Sequence, residues 1–378
     1  MKIAYSLHPI IHHFNRGIHF YIKNLLENLL RLKEETEFHI FFLQEEIREI
    51  NLPEKVHLHK FKYHWKKLPY GFQWLWEFTL LPWEIERIKA EIVHSLDLST
   101  YPFLPCKRVT TVHDLIPFLF PTFLSSKKEF WKYRIRLFSL KLADAVIAIS
   151  KNTASDLTKH LGIPPSKIKV IPYGIGSVFR PLEKDLAKAY ILERFQLKGK
   201  FILFVGAISP NKNLGRLIEA FSLLRHSDIR VQLVICASLK EPFYTYLSKK
   251  AKNLDISSYI KWLGSLTQED LLYLYNCCEL FIYPSLYEGF GLPPLEAMAC
   301  GAPVIVSNTS SLPEVVGDAG ILVNPYDPKE IFLAMKKVLK NRSLREELKE
   351  KSLKRAKLFS WEKTARLTLE VYKNLIKI

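Results

Sequence analysis

PSLYEGFGLPPLEAMACGAPVIVSN, residues 284–308, is the stretch whose reading decides the fold of this 378-residue chain. It leaves an apolar run, LFIYPS from Leu280, and passes through the turn Glu288-Gly289-Phe290-Gly291. A helical segment follows with proline at its start, where a missing N–H costs nothing. The chain returns through Cys300-Gly301-Ala302-Pro303 into a second strand-like run. Backbone N–H groups of Gly289, Phe290, Gly291 and Leu292 then surround a helix N-terminus, a natural seat for a phosphate or a sugar hydroxyl. Glu288 precedes the helix and Glu296 lies on its first turns, with seven residues between them, so that both carboxylates can face one bound molecule.

Outward from this stretch, short apolar runs alternate with helical patterns in both directions. Towards the amino terminus lie FILFVGAIS from Phe201, VQLVIC from Val231 and YIKWLG from Tyr259. Earlier still are KIAYSL from Lys2, FHIFFL from Phe38, EIVHSL from Glu91, RVTTVHD from Arg108, AVIAIS from Ala145 and IKVIP from Ile168. Nearly continuous apolar strands separated by helices indicate parallel sheets covered on both faces. The fold class is α/β, with two tandem Rossmann-like, doubly wound domains. The pattern breaks near Tyr173-Gly174-Ile175-Gly176, and residues 181–200 form a polar bridge. The expected division is 1–180, 181–359, and a C-terminal helix over 360–378, capped by Ser360 and packing back towards the first domain. Ligands of such folds bind outside the carboxyl ends of the strands, and two domains in tandem place them in a cleft.

The string YEGFGLPPLEAMACGAPV, set between two buried strands, resembles the retaining family-4 glycosyltransferases of the GT-B fold, whose paired-glutamate signature it matches as Glu288 and Glu296. The resemblance covers essentially the whole chain. It implies that Glu296 accepts hydrogen bonds from the nucleotide ribose, and that Glu288 and the following amides hold the donor sugar. GAISPNKN, from Gly206, resembles the family's donor-phosphate loop, with Lys212 as the cation on the pyrophosphate. Ala207 stands where many relatives have arginine. Asn15-Arg16-Gly17-Ile18 occupies the position of a Gly-rich turn opening the first long helix. Gly17 lets backbone approach the donor phosphate, and Arg16 has two readings, a phosphate cation or a solvated loop residue. His113-Asp114, in HDLIP, resembles a turn of mannosyl- and rhamnosyl-type relatives in which the histidine lies beside the donor sugar. Ser150 matches a turn at the rear of the cleft.

These matches imply a catalytic set of His113, Lys212 and Glu288. The donor-binding set is Arg16, Gly17, Ser150, Gly289, Phe290, Gly291, Leu292 and Glu296. The activity implied is retaining transfer of a hexose, mannose from GDP-mannose being favoured, to a glycan or lipid-linked saccharide in cell-envelope polysaccharide synthesis, such as lipopolysaccharide. No D-x-D between apolar strand residues, no H-E-x-x-H and no Cys/His spacing is present, so the expectation is no metal and no cofactor beyond the nucleotide sugar as co-substrate. A nucleotide-sugar epimerase of the same fold and a non-catalytic nucleotide-sugar binder are the competing classes.

Composition narrows the partners. Hydrophobic residues make up 48% and charged residues 25% of the chain, values of a globular protein. The formal net charge of +17 calls for an anionic partner. It divides evenly at Arg180, +9 before and +8 after, so no basic arm exists, and no nucleic-acid-binding signature accompanies it. Five cysteines without a C-x-x-C pair fit a reducing cytoplasm. The opening MKIAYSLHPI is too short an apolar run for a signal peptide, and no uninterrupted apolar window is long enough to span a bilayer. Three methionines with abundant lysine and glutamate fit a heat-loving source. Two segments, KFKYHWKKLPYGFQWLW from Lys60 and KKEFWKYRIR from Lys127, mix cations with aromatics. They read either as attachment to the anionic inner face of the cytoplasmic membrane or as core aromatics beside a solvated lysine face.

Overall fold

Ile3, Ala4 and Tyr5 are all fully buried although successive strand residues point to opposite faces. A strand buried on both faces needs helices on both sides of its sheet. A computed structural model shows that arrangement twice. It describes all residues except 7–15, 33–35, 44–55, 62–78, 80, 97, 99, 102–103, 122–125, 240 and 377–378.

The first sheet contains β1 (Lys2–Ser6), β2 (Glu37–Leu43), β3 (Val56–Phe61), β4 (Ile92–Ser95), β5 (Lys107–Val112), β6 (Ala145–Ala148) and β7 (Ile168–Val170), in the order β3-β2-β1-β4-β5-β6-β7. The second contains β8 (Phe201–Val205), β9 (Gln232–Cys236), β10 (Ile260–Trp262), β11 (Leu280–Tyr283), β12 (Val304–Ser307) and β13 (Gly320–Val323), in the order β10-β9-β8-β11-β12-β13. The pairings are parallel in both sheets. Strand order reverses at β1/β4 in one sheet and at β8/β11 in the other, and such reversals are where doubly wound folds open a crevice. Two strands go beyond the sequence expectation. β3 carries histidines at alternate positions and lies at the sheet edge, and β13, Gly-Ile-Leu-Val, is too short to show a period.

The chain separates into two compact units, Met1–Gly174 with Trp361–Ile378, and Ile175–Ser360. The boundary therefore precedes the expected 180/181. Ile175 N–H donates to the Phe359 carbonyl and Leu182 N–H to Asn276 Oδ1, at 3.2 and 2.8 Å, which ties residues 175–182 to the second unit.

The helix Trp361–Ile376 completes the core of the first unit. Trp361 packs against Phe20, Tyr21 and Tyr173. The hydroxyl of Tyr372 meets those of Tyr5 at 2.8 Å and His94 Nδ1 at 2.6 Å, and His94 Nε2 reaches Thr111 Oγ1 at 2.8 Å. Burial, with His113 nearby, pushes the His94 imidazole down to about 3, so this network is neutral at physiological pH.

Candidate functional site

The loops after β8 and β11 adjoin because those strands pair at the reversal point of the second sheet. Hydrogen bonds stitch them together. Leu286 N–H donates to the Asn211 carbonyl at 2.7 Å, Ser285 Oγ lies 2.8 Å from the same carbonyl, and Asn211 Nδ2 donates to the Tyr287 carbonyl at 3.2 Å. Asn213, in the left-handed region at φ 59°, donates through Nδ2 to the carbonyls of Pro284 and Pro325 at 3.0 and 2.6 Å.

This framework aims Lys212 at Glu288. Its Nζ donates to Glu288 Oε1 at 2.6 Å and to the Tyr283 hydroxyl at 2.7 Å. Ser285 Oγ donates to the same carboxylate oxygen at 2.5 Å. The side chains of Lys212 and Glu288 are only 15% and 10% exposed. Burial opposes charge on Lys212, but the adjacent Glu288 carboxylate outweighs it and holds the ammonium above its usual range. The geometry is therefore that of a desolvated, hydrogen-bonded cation and anion, the kind of pair that responds strongly to an entering charge.

The turn beyond Glu288 is equally determined. Ser310 Oγ accepts from Glu288 N–H at 3.0 Å, and Ser311 Oγ donates to the Phe290 carbonyl at 2.6 Å and lies 3.0 Å from the Glu288 carbonyl. Gly291 has φ 116°, and a Cβ there would lie 2.8 Å from Leu312 Cδ2, so only glycine fits. The helix Leu292–Ala299 follows. Pro293 and Pro294 have no N–H, which confines the donors of this helix start to Leu292 and the turn of Gly289, Phe290 and Gly291 before it. Glu296 lies on the same helix in a different electrostatic setting. It accepts from the Tyr275 hydroxyl at 2.9 Å, and burial raises its carboxyl to about 7. Lys212, Glu288 and the 289–292 turn are thus gathered on one loop pair, with Glu296 on the helix that follows. Sequence reading missed Tyr283, Ser285, Asn211 and Tyr275. Their one signal was position, since Tyr283 and Ser285 flank the end of a strand.

The remaining predicted residues belong to the first unit. His113 is buried after β5. Its Nε2 donates to the Leu96 carbonyl at 2.8 Å, and its Nδ1 accepts from the Tyr173 hydroxyl at 2.5 Å. Asp114 Oδ1 accepts from Ile116 N–H at 2.8 Å and shapes the same turn. Ser150 caps the helix Lys151–Leu161, accepting from Thr153 N–H at 3.0 Å and donating to Thr153 Oγ1 at 2.9 Å. Arg16 and Gly17 open the helix Arg16–Arg31; the Arg16 side chain lies outside the described residues, as does most of the basic-aromatic segment from Lys60. The other such segment forms the helix Lys127–Ser139. Trp131, Ile135 and Phe138, at 59%, 51% and 53% exposure, line up at helical spacing on its surface. The Arg134 guanidinium stacks over Trp131 at 5.2 Å, and Lys127 and Lys128 are exposed. Trp131 is therefore not a core aromatic. Among the described residues no helix is long and apolar enough to cross a membrane.

Two doubly wound parallel units, with an ion pair and a Gly-rich helix start at the strand-order reversal of the second, define a tandem Rossmann-like α/β protein. The family profiles agree in extent. "Glycosyltransferase Family 4" matches residues 15–176 and "Glycosyl transferases group 1" matches residues 193–355. The chain belongs to the family-4, group-1 glycosyltransferases of the GT-B fold. It is similar to O-antigen chain mannosyltransferase B of Escherichia coli, 30% identical over 99% of this chain and 100% of that protein. It is also similar to the serotype-specific mannosyltransferase WbdA of Escherichia coli, 35% identical over 72% of this chain. That match covers 34% of WbdA, so the chain spans about a third of that relative's length. A glycosyltransferase from Rickettsia africae ESF-5 shares the fold with a TM-score of 0.78 at 20% identity, covering 100% of this chain and 98% of that one.

Proposed function

We propose that the protein is a retaining mannosyltransferase that uses GDP-mannose to extend a glycan or lipid-linked saccharide in cell-envelope polysaccharide synthesis. The observation that carries this reading is the Lys212–Glu288 pair, held by Tyr283 and Ser285 at the joined ends of β8 and β11. A donor diphosphate offers Lys212 a stronger anion than one carboxylate, and Lys212 then stabilises charge growing on the leaving nucleotide. Glu288, relieved of that partner, is free to accept hydrogen bonds from the donor sugar. The amides of 289–292 add neutral donors, and Glu296 accepts from the ribose. With Ala207 in place of an arginine, Lys212 carries more of the phosphate charge.

Substitution is front-face. The anomeric carbon–phosphate oxygen bond breaks as the acceptor oxygen bonds to the same face, and the acceptor's proton passes to the departing phosphate oxygen. No metal ion takes part in this scheme. On the first unit the family resemblance assigns Arg16, Gly17, His113 and Ser150 to the donor. In this reading His113 and Ser150 act by holding strand-end turns in place for the donor, and their hydrogen bonds support it. The similarity to two mannosyltransferases supports mannose as the sugar. The exposed Trp131, Ile135 and Phe138 row beside Lys127 and Lys128 supports peripheral attachment to an anionic membrane from the cytoplasmic side.

The deciding experiment is a transfer assay with GDP-mannose, UDP-glucose and a dTDP-sugar against lipid-linked saccharide acceptors. The anomeric configuration of the product is read by NMR, with and without added Mg²⁺. An α-mannosyl product formed from GDP-mannose at a rate unchanged by Mg²⁺ is expected. Inversion at the anomeric carbon, or epimerised sugar nucleotide without transfer, would overturn the reading.

A further inference from the structure

The parallel register of β2 and β3 sets His39 opposite His57 and Phe41 opposite His59. Side chains of alternate strand residues share a face, and paired strands lie about 4.8 Å apart, so Glu37, His39, His57 and His59 meet at one edge of the first sheet. Ligand atoms of Glu37, His39 and His57 all lie within 4.8 Å of one another. We propose that Glu37, His39 and His57 bind a divalent metal ion of the zinc class, with His59 positioning His39.

The buried ring of His39 carries the argument. It is 7% exposed, and its Nε2 has no hydrogen-bond partner. The nearest carboxylate oxygen, Glu37 Oε2, is 3.7 Å away, beyond hydrogen-bonding range. The other nitrogen, Nδ1, is 2.9 Å from His59 Nε2, a contact that requires one imidazole to donate and the other to accept. If His39 donates, its Nε2 presents a lone pair to a carboxylate, and two electron-rich groups face each other. If His39 accepts, its Nε2–H is a buried donor without an acceptor. A metal ion on Nε2 resolves the first case, with Nδ1–H donating to His59. Metal-bound histidines characteristically have their second nitrogen tied in this way.

Tetrahedral zinc with N and O ligands needs donor atoms roughly 3.3 Å apart. The His39–Glu37 separation of 3.7 Å is close to that value, and the exposed His57 and Glu37 side chains can move inward. Two imidazoles, a carboxylate and a water form a borderline N/O set that zinc, cobalt and nickel share. Lys2 Nζ, 3.6 Å from Glu37, is the competing cation, and that pair is solvent-exposed and weak. The bound ion would clip the edge strand β3 to β2, a structural use that is independent of the transferase site.

Untagged full-length protein, stripped with a chelator and dialysed, is titrated with Zn²⁺ by calorimetry and its melting temperature is followed. One ion per chain and a rise in melting temperature are expected. His57→Gln and Glu37→Gln, both surface substitutions, should abolish that stoichiometric binding while leaving the transferase rate unchanged. His59→Gln should weaken it about 10- to 100-fold. Absence of saturable one-to-one binding, or binding retained in His57→Gln, would sink the proposal.

Discussion

The two strand-order reversals differ in electrostatic character. At β8/β11 the loops hold a buried ammonium and carboxylate 2.6 Å apart. In the first unit, around β1, β4 and β5, the described buried polar side chains bond to one another and to the backbone without a close ion pair. His94 and His113 each have both ring nitrogens engaged, the former with Tyr372 and Thr111, the latter with Tyr173 and Leu96. A buried ion pair is a poor device for stability, because desolvation cancels most of its attraction. Its place beside a Gly-rich helix start is the one the proposed donor diphosphate would use. The neutral network is the cheaper way to lock polar residues into a core, and it holds the C-terminal helix in place through Tyr372.

Substitutions can break this contrast. Lys212→Ala should have the largest effect, lowering turnover per folded molecule by about 10²- to 10³-fold, measured by transfer kinetics with circular dichroism to count folded protein. Unchanged turnover would remove Lys212 from the chemistry. At the other reversal, His113→Ala should act mainly on stability. It removes one partner from each of the Tyr173 hydroxyl and the Leu96 carbonyl and leaves a cavity, costing about 2–4 kcal/mol in denaturant unfolding, with turnover per folded molecule falling less than tenfold. A hundredfold loss of turnover would place its ring against the reacting atoms.

The smallest effect sharpens the comparison within the second unit. Glu296 titrates near 7 in the folded protein, above the ordinary carboxylate value, so its burial is tolerated below about pH 4.5 and the associated stability is lost as pH rises through 7. Glu296→Gln stays neutral throughout. The gap between the two melting temperatures should be smallest at pH 5 and widen by about 5–10 °C by pH 8, with the wild type melting lower, the shift that about 2.5 kcal/mol gives a unit of this size. Parallel melting curves from pH 5 to 8 would show that the carboxyl is solvated.

Much of the fold was legible because doubly buried strands leave unmistakable apolar runs. FILFV and LFIY announced β8 and β11, and the charged residues that follow them stood out against those runs. Tyr283 and Ser285 did not, since a tyrosine at the end of an apolar strand reads as core and a serine beside it as turn. β3 failed for a related reason. An edge strand is not forced to be apolar on both faces, so Val-His-Leu-His-Lys-Phe has the alternation of a strand without the hydrophobicity that would confirm it. The expected domain limit at 180 erred because hydrogen bonds to Phe359 and Asn276, far along the chain, decide where residues 175–182 belong.

By itself the sequence determined the α/β class, the doubly wound tandem, and the presence of Lys212 and Glu288 beyond strand ends with Glu296 on the helix that follows. These follow from local periodicity and from the order of residues along one chain. Tertiary structure decided which groups meet. It paired Lys212 with Glu288 across 76 positions, and it aligned His39 with His57 across a strand register. A hydrogen bond or a shared ligand depends on distances of a few ångströms, and sheet pairing sets those distances between segments whose separation along the chain carries no record of them.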